Sequence, residues 1–459
     1  MSVSGRILLN LTHFLRRSRT LAILPGIQSE PYSSRSELLQ LQIQKLSRLL
    51  NVAQTHVPYY REMFRSLGIQ ARDIRTLQDF SALPVLTKSI VRERLQDLIH
   101  EGVPKERLIT EHSGGSTGVP LKFYRTREEN DVNEACFFRT CMQSGWKPGD
   151  MVAFFWGDRD RASMSNWEWE LRQHLRRLYQ FDAFESGPDQ MEHWVKKWNR
   201  IKPVIVIGYS SALHRFALHV ERTAQKLRPV RGVFSTAEKL YPTQKHMISR
   251  IFGCHVYNMY GSSEVHNTAC TCPRDRMHVN IDNVVLETDH SGLLPGQPSA
   301  LIVTSLRSET MPFIRYRNED CGELMDGMCE CGNHFPLMKL DISRIFDHFV
   351  LPGGRVVHGM LFVRLMDIAK GISTFQFHQT APDAITLWIV PDAGENELRE
   401  ASIQKIVAQL KSLDPNGRIQ VQVRMTDSIP VSRNGKHCYI RSDVRPDSSI
   451  VNSTHQSTA

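Results

Sequence analysis

The sequence predicts an α/β protein in which a large, layered N-terminal domain precedes a small α+β domain. One observation is that short apolar runs alternate with longer segments of helical periodicity from Ile109 onward, as in proteins whose helices pack on a sheet. A second is the change of pattern after Asp341, where a Gly-Gly turn and further strand-like runs indicate a compact unit. The length of 459 residues fits two or three domains, at about 150 residues each.

The N-terminal lead-in is predicted to be helical. Apolar residues recur at helical spacing over residues 36–50, and Pro58 interrupts that pattern. A second proline-marked junction precedes Thr87, which we expect to cap a helix that starts at Lys88.

The alternating region predicts both layers of the large domain. Strands are expected at 151–156, 204–207, 232–235, 255–259 and 301–304, and helices at 167–178 and 212–227. After a boundary near 344–347, a helix is expected at 360–368 and strands at 384–390 and 419–423. The polar segment after Val444 predicts a disordered tail.

Composition and charge narrow the class of protein. A content of 41% hydrophobic and 23% charged residues is that of an ordinary globular chain. The 57 basic and 48 acidic residues give a net charge of +9, which suits an anionic small molecule or an anionic surface. Because the basic residues form no long run, we predict no nucleic-acid partner.

Cysteine usage and hydropathy indicate a reducing, cytoplasmic compartment. Nine cysteines are too sparse for a disulfide scaffold, and no cleavable signal peptide is evident. The apolar segment 7–27 is too interrupted to span a membrane, which leaves open a peripheral amphipathic helix. The interrupting residues are His13, Arg16, Arg17, Arg19 and Pro25.

A loop rich in glycine and hydroxyl groups is the strongest local signal. It consists of Ser113, Gly114, Gly115, Ser116, Thr117 and Gly118, followed by Val119 and Pro120. Backbone N–H groups and hydroxyls in such a loop can cradle phosphate oxygens. The P-loop lysine is absent, and a flexible hairpin is the alternative interpretation.

A second segment follows an apolar strand-like run. It consists of Tyr260, Gly261, Ser262, Ser263 and Glu264. Ligands of α/β proteins bind at the carboxyl ends of strands, where a carboxylate could hold Mg²⁺ beside phosphates. The alternative is a capped turn without a ligand.

Two further segments add candidate charged groups. Asp320 closes the run R-Y-R-N-E-D and could accept both hydroxyls of a ribose, although a surface ion-pair cluster is the alternative. Lys436 follows a glycine-containing turn, where exposed lysines commonly serve only solubility.

The order of these segments resembles the adenylate-forming enzyme superfamily. The series is S-G-G-S-T-G-V-P, F-S-T-A-E, Y-G-S-S-E, R-Y-R-N-E-D, S-R-I-F-D and P-V-S-R-N-G-K. The lead-in segments V-P-Y-Y-R-E and L-P-V-L-T-K resemble the phenylacetate-CoA ligase branch, including its relatives associated with capsular polysaccharide genes. The resemblance extends over residues 40–440.

The resemblance implies an adenylate-forming fold and a role for each segment. The loop from Ser113 to Gly118 would cradle the ATP phosphates, and Ser235, Thr236, Ala237 and Glu238 would line the adenine. Residues Tyr260 to Ser263 would contact AMP and the acyl carboxylate, and Glu264 would coordinate Mg²⁺. Asp320 would hold the ribose, Arg344 would contact ribose or phosphate, and Lys436 would be the mobile catalytic lysine.

The implied domains are an adenylation domain at 1–346, a mobile C-terminal domain at 347–445 and a tail at 446–459. Asp347 matches the hinge position. Ser343 and Phe346 depart from the usual G-R-x-D-D pattern, which puts the geometry of the second half-reaction in doubt.

The implied reaction is activation of a small carboxylic acid as acyl-AMP with pyrophosphate release, followed by transfer to coenzyme A. An amide-forming ligase that passes the acyl group to an amine of a surface polysaccharide is the second hypothesis. A non-catalytic binding protein is the third. The sequence is compatible with a homodimer and leaves the acid unidentified.

Cysteines and histidines between 270 and 334 indicate a metal site. Four such ligands could form a closed, structural zinc site, whereas reduced cysteines are also ordinary core residues. The resemblance implies a Cys3His set of Cys272, His278, Cys329 and Cys331, with Cys270 or Cys321 as substitutes.

Aromatic residues at 154–156 have two interpretations. Phe154, Phe155 and Trp156 could line an acyl pocket, but such a cluster on an apolar strand more often belongs to the core. Tyr209 and Ser210 end another strand-like run and could lie near the acyl group.

Overall fold

The structure is a computed structural model. The residues it describes are 3–113, 121–157, 164–183, 188–290, 299–341, 348–353, 356–358, 362, 366, 369, 371–391, 396–430 and 438–444. The predicted tail and most of the predicted helix at 360–368 lie outside this set.

The lead-in is helical, as predicted. Its helices are α1 (Val3–Leu15), α2 (Thr20–Gln28), α3 (Arg35–His56), α4 (Pro58–Leu67), α5 (Leu77–Ser81) and α6 (Lys88–Glu93). Short 3-10 turns lie at Glu30–Tyr32, Ala71–Asp73 and Lys105–Arg107. Thr87 caps α6 by accepting a bond from the Ile90 amide at 3.4 Å, which confirms that prediction.

A small hairpin and a large mixed sheet follow. The hairpin pairs β1 (Ile109–His112) with β2 (Lys122–Arg125). The parallel half of the sheet contains β3 (Val152–Trp156), β4 (Leu178–Asp182), β5 (Ile205–Tyr209), β6 (Gly232–Thr236) and β7 (Val256–Tyr260). The antiparallel half contains β8 (Ala269–Thr271), β9 (Met277–Val279), β10 (Val284–Asp289), β11 (Ala300–Ser305), β12 (Tyr316–Met325) and β13 (Leu337–Asp341).

The eleven strands lie in the order β10-β11-β12-β13-β9-β8-β7-β6-β5-β3-β4. Helices accompany the parallel strands: α7 (Arg127–Met142), α8 (Asn166–Arg176), α9 (Pro188–Ile201), α10 (Ser210–Arg222) and α11 (Pro242–Phe252). The sheet changes from parallel to antiparallel pairing between β7 and β8.

Alternating side chains of the parallel strands belong to two different cores. Phe155 and Val206 pack with the tryptophans of α9 on one side. Val152 and Ile207 pack with α2 and α7 on the other. Since successive strand residues point to opposite faces, the apolar runs are continuous because both faces are covered. Phe155 is therefore a core residue and not an acyl-pocket wall.

Two predicted helices extend beyond the real ones. The helix predicted at 167–178 ends at Arg176, because Arg177 adopts a left-handed φ of 56° and Leu178 begins β4. The helix predicted at 212–227 spans Ser210–Arg222 instead, and the chain turns at Thr223.

A second, four-stranded sheet contains the predicted strands of the C-terminal unit. Its order is β18-β17-β16-β19, with β14 (His348–Val350) and β15 (Val356–His358) forming a separate pair. The members are β16 (Ile372–Ala381), β17 (Ala384–Pro391), β18 (Gln420–Met425) and β19 (Ile440–Ser442), with helix α12 (Asn396–Lys411). The large sheet ends at Asp341, and the next strand, β14, begins at His348. The domain boundary at 346/347 stays a prediction.

In the part of the chain that the structure describes, no helix combines the length and the apolar character that crossing a membrane requires.

Candidate functional site

Two hydrogen bonds join the residues on either side of the glycine-rich segment. Ser113 follows β1, and its amide donates to the Leu121 carbonyl at 2.8 Å. The Leu121 amide in turn donates to the Ser113 hydroxyl at 2.8 Å. The residues between them, including Gly114, Gly115, Ser116, Thr117 and Gly118, lie outside the described set. Ser113 and Leu121 are thus held next to each other, and the Ser113 hydroxyl already accepts one hydrogen bond.

The structure brings Tyr260 and Asp320 together, although sixty positions separate them. Tyr260 ends β7, and its hydroxyl donates to Asp320 Oδ2 at 3.1 Å. Asn318 Nδ2 donates to the Tyr260 hydroxyl at 2.7 Å and to Asp320 Oδ2 at 3.1 Å. Burial, and next the charge of Asp320, raise the pKa of Tyr260 well above its ordinary value. The phenol therefore stays neutral and acts as a hydrogen-bond donor.

Glu264 lies in the same region as a buried carboxylate. Its Oε1 atom accepts a bond from the Tyr316 hydroxyl at 3.0 Å. Burial and the neighbouring Glu264 charge raise the pKa of Tyr316, so this hydroxyl also remains a donor. Arg125, on β2 of the hairpin, donates to the Ser263 carbonyl. The hairpin is thereby joined to the segment that follows β7.

The turn from Gly261 to Val265 is tightly closed. The Ser262 amide donates to the Val265 carbonyl, and the Val265 amide donates to the Ser262 hydroxyl, both at 3.0 Å. A Cβ atom at Gly261 would lie 3.0 Å from the Asn267 backbone nitrogen. Glycine is therefore required here for close packing of the backbone.

The segment after β6 is tied to the start of α10. The hydroxyls of Ser235 and Ser210 lie 2.6 Å apart, and both residues are fully buried. Glu238 Oε2 accepts from the Ser211 amide at 2.8 Å, at the positive end of α10. Ala237 has a left-handed φ of 66°, a conformation that is uncommon without glycine and that occurs at functional sites. The segment after Thr236 is thus held in a fixed conformation against α10.

The charged run that ends at Asp320 had two interpretations, a ribose-binding carboxylate and a surface ion-pair cluster, and its residues differ in which of the two they fit. Arg315 pairs with Glu287 at 3.1 Å, and Lys88 pairs with Glu319. Asp320 instead joins Tyr260. The run therefore contains structural ion pairs and one carboxylate that faces the candidate site.

Sequence reasoning gave no role to Tyr316, Asn318 or Arg125. A signal for the first two was present, because Tyr316, Asn318 and Asp320 occupy alternate positions of one strand-like run, and alternate residues share a face. Nothing comparable marks Arg125, whose position depends on the hairpin. Burial lowers the pKa of its guanidinium, and the negative charge of nearby carboxylates including Glu264 opposes that shift.

A Cys/His cluster forms a second candidate site. The ligand atoms of Cys272, His278, Cys329 and Cys331 all lie within 4.8 Å of one another. Cys272 directly follows β8, His278 lies in β9, and the other two cysteines lie between β12 and β13. Neither Cys270 nor Cys321 is a member. Cys270 accepts a bond from Gln143 instead.

The distances fit a tetrahedral zinc ion. The sulfurs of Cys272 and Cys329 are 3.7 Å apart, and the Cys331 sulfur is 3.4 Å from His278 Nε2. Tetrahedral zinc with ordinary bond lengths requires about 3.8 Å and about 3.6 Å. His278 Nδ1 lies 2.9 Å from the Phe335 carbonyl. This carbonyl can accept a hydrogen bond from Nδ1–H, which leaves Nε2 directed toward a metal.

Three more predicted site residues, besides those of the glycine-rich segment, lie outside the part of the chain that the structure describes. They are Arg344, Asp347 and Lys436. Tyr439, three positions after Lys436, is described. The Gln244 amide donates to its hydroxyl at 3.0 Å, and Gln244 belongs to α11 of the large sheet. The C-terminal unit therefore contacts α11 at a residue three positions from the predicted lysine in the sequence.

Comparison with known proteins gives consistent relatives. No family model matches the chain. The chain is 24% identical to protein CapK of Staphylococcus aureus over 388 residues, covering 82% of this chain and 83% of that protein. It is 27% identical to the phenylacetate-coenzyme A ligase of Escherichia coli strain K12 over 322 residues, covering 64% and 69%. The corresponding ligase of Aromatoleum evansii is 27% identical over 309 residues, covering 64% and 68%.

Solved structures with this fold are adenylate-forming ligases. The 2-hydroxyisobutyryl-CoA ligase in its postadenylation state, in complex with R3-HIB-AMP, superposes with a TM-score of 0.71 at 18% identity, covering 93% of each chain. Its open conformation with 2-HIB-AMP and CoA gives a TM-score of 0.61, covering 91% of this chain and 93% of that one.

The fold is therefore that of the adenylate-forming ligases, as the sequence predicted. In sequence, the chain is similar to protein CapK and to the phenylacetate-coenzyme A ligases.

Proposed function

We propose that the chain uses ATP to activate a carboxylic acid as acyl-AMP, releases pyrophosphate, and then transfers the acyl group to coenzyme A. The observation that carries this proposal is the hydrogen-bonded group of Tyr260, Asn318 and Asp320 beside the buried Glu264. This group lies at the carboxyl end of β7, which Tyr260 closes. Open α/β sheets bind ligands outside the carboxyl ends of their parallel strands.

The two steps require positioning more than covalent catalysis. A carboxylate oxygen of the acid attacks the α-phosphorus of ATP, and the bond to the pyrophosphate leaving group breaks. The thiol sulfur of coenzyme A then attacks the acyl carbonyl, AMP leaves, and the thiol proton passes to solvent. Charge builds on phosphate oxygens in the first step, so preorganised N–H groups and cations there lower the barrier.

Each predicted residue has one task in this scheme. The loop Ser113–Gly118 would hold the phosphates, and Asp320, oriented by Tyr260 and Asn318, would accept the ribose hydroxyls. Glu264 would hold Mg²⁺, which when bound neutralises charge on phosphate oxygens. Lys436 would stabilise the developing charge from the C-terminal unit, and Arg344 and Asp347 would act at the junction.

The decisive assay is acid-dependent exchange of labelled pyrophosphate into ATP over a chemically diverse panel of acids. We expect exchange with at least one acid, a loss of about a hundredfold or more in Asp320→Ala and Lys436→Ala, and little change in the control Glu323→Gln. Glu323 is an exposed carboxylate on the same strand as Asp320. Wild-type exchange in Lys436→Ala would refute the role of that lysine, and no exchange with any acid would favour the non-catalytic alternative.

The acceptor has a second candidate, an amine in surface polysaccharide synthesis. The similarity to protein CapK over 82% of the chain favours keeping it. The two acceptors are distinguished by supplying the identified acyl-AMP with either coenzyme A or amines in a single turnover. Faster consumption with an amine would replace the proposed thioester product by an amide.

We propose further that Cys272, His278, Cys329 and Cys331 hold a structural zinc ion. Four protein ligands leave no position for substrate, so the ion would join the β8–β9 hairpin to the β12–β13 connection. Elemental analysis should find one zinc per chain, and chelation should lower the melting temperature.

The variant Cys272→Ser should lose zinc and stability, whereas the control Cys438→Ser should keep both, because Cys438 is exposed and is not a member of the cluster. Full zinc content in Cys272→Ser would contradict the assigned ligand set.

A further inference from the structure

The first helix presents apolar side chains on two sides. Gly5, Leu9 and His13 are buried at a spacing of four residues, as expected for a helix packed on the protein. The opposite side is also apolar, and it faces solvent. Its exposed residues are Ile7, Leu11, Phe14 and Leu15, with Phe14 79% and Leu15 70% exposed.

The position of α1 is fixed by polar contacts. The Thr12 hydroxyl donates to the Leu175 carbonyl at 3.0 Å, in the last turn of α8. After the helix, the Ser18 hydroxyl and the Arg19 amide donate to the two carboxylate oxygens of Asp131, both at 2.8 Å. A Cβ atom at Gly5 would lie 2.4 Å from the Gly149 carbonyl, so the helix approaches the body closely. Its outer side is therefore held in place and not merely frayed.

The neighbouring helix extends this apolar surface. Trp167 and Leu171, one turn apart on α8, are exposed, with Trp167 at 68%. We call these residues together the α1–α8 face; its members are Ile7, Leu11, Phe14, Leu15, Trp167 and Leu171. The two helices contact each other through Thr12 and Leu175, and groups of exposed apolar residues on neighbouring elements mark interaction surfaces.

The charge around the α1 part of the face is positive. Residues 1–29 contain four arginines and no Asp or Glu, which is four of the nine net positive charges of the whole chain. Arg6, Arg16, Arg17 and Arg19 are exposed, and no ion pair involves their guanidinium groups within the described ranges. On α8, Glu170 pairs with Lys197, whereas Glu168 accepts a bond from the Ser165 hydroxyl and keeps its negative charge.

We propose that the α1–α8 face docks on an anionic lipid bilayer and holds the protein at the membrane surface. Leucine, phenylalanine and tryptophan side chains would enter the boundary between headgroups and acyl chains, while the arginines contact lipid phosphates. The same charge disfavours a second copy of the chain as the occupant, since two faces of like charge repel each other. The helix lies on the surface and does not span the bilayer.

The test is co-sedimentation of the full chain with phosphatidylcholine vesicles, with and without added phosphatidylglycerol. We expect binding to the anionic vesicles, weak binding to the neutral ones, and release by salt. The double variant Leu11→Ser/Phe14→Ser should weaken binding by about tenfold or more, and Arg16→Gln/Arg17→Gln should weaken it mainly at low salt. The matched control is Leu39→Ser, an exposed leucine on α3 that lies outside the face.

Each result bears on the proposal. Equal sedimentation of the Leu11/Phe14 double variant and the wild type, or no binding of the wild type to anionic vesicles, would overturn it. A smaller particle for that variant in light scattering without vesicles would identify the face as a subunit interface instead. Circular dichroism reports whether the variants fold, and the readout needs no catalytic activity, so its outcome is independent of the proposed reaction.

Discussion

Tyr316 is the residue on which the buried Glu264 depends. Its hydroxyl donates a hydrogen bond to that carboxylate at 3.0 Å, and the tyrosine is fully buried. The change Tyr316→Phe keeps the ring and removes only the donor, so Glu264 loses a bond to a charged group worth about 1.5–3 kcal/mol. We expect pyrophosphate exchange to fall and its magnesium dependence to shift, measured by titrating Mg²⁺ in the exchange assay.

Tyr60→Phe is the matched control for that change. Tyr60 is equally buried; its hydroxyl donates to the Pro312 carbonyl at 2.7 Å, accepts from the Ile314 amide at 3.2 Å and makes no bond to Glu264. It should lose comparable stability and keep the magnesium dependence. The same magnesium profile in both variants would contradict a role of Tyr316 in orienting Glu264.

Residue identities could be predicted where short motifs carry them. Tyr260, Glu264 and Asp320 were found because each stands in a recognisable run, and the structure brings Tyr260 and Asp320 into contact. Arg125 was missed because its contact with Ser263 exists only once the hairpin has folded beside β7. A long-range contact of one side chain leaves no periodic trace in the sequence.

Elements were predictable in proportion to how evenly they are buried. Four of the parallel strands pack against helices on both faces and appear as continuous apolar runs, whereas β4 is a half-exposed edge strand that was not predicted, and the helix predicted at 167–178 overlaps it only at Leu178. Strands β8, β9 and β13 have three to five residues each. Runs that short carry too few alternations to be separated from turns.

The beginning of helix α11 contacts the residue that precedes strand β19, and this contact joins the large domain to the C-terminal unit. Tyr241, just before α11, lies 4.8 Å from the Tyr439 ring, between ring centroids. The Tyr439 hydroxyl accepts the bond from Gln244. The variant Tyr439→Phe should cost about 1 kcal/mol and leave the Gln244 amide without this acceptor. We expect faster amide hydrogen exchange over 241–252, measured by mass spectrometry.

Tyr179→Phe provides the comparison for that contact. It removes the bond from Tyr179 to Glu170, at 3.0 Å, on strand β4. Exchange over 241–252 should be unchanged in this variant. An equal acceleration in both would mean that general destabilisation, and not the contact between α11 and β19, controls the exchange.

At the scale of the whole molecule, one buried carboxylate joins distant parts of the chain. Asp282 is fully buried and accepts bonds from Arg139 Nη1 at 2.9 Å, from Arg139 Nη2 at 3.0 Å and from Arg307 at 2.9 Å. Glu30 and Lys45 from the lead-in contact the same cluster. Burial alone would raise the pKa of Asp282, but the two arginines hold it well below its ordinary value. The carboxylate is therefore ionised at neutral pH.

The variant Asp282→Asn should destabilise the whole protein, because Arg139 and Arg307 lose the carboxylate nearest to them and keep only Glu30 as a counter-charge. Removing one partner of a buried pair costs about 3–5 kcal/mol, whereas an exposed pair contributes about 1 kcal/mol or less. The control is Glu101→Gln, which removes the exposed pair with Arg61. Urea unfolding at neutral pH measures both. A similar loss of stability in the two variants would show that this cluster does not hold the lead-in helices. Their apolar contacts would then hold them, among them Leu38 and Leu49 in the core shared with the antiparallel strands.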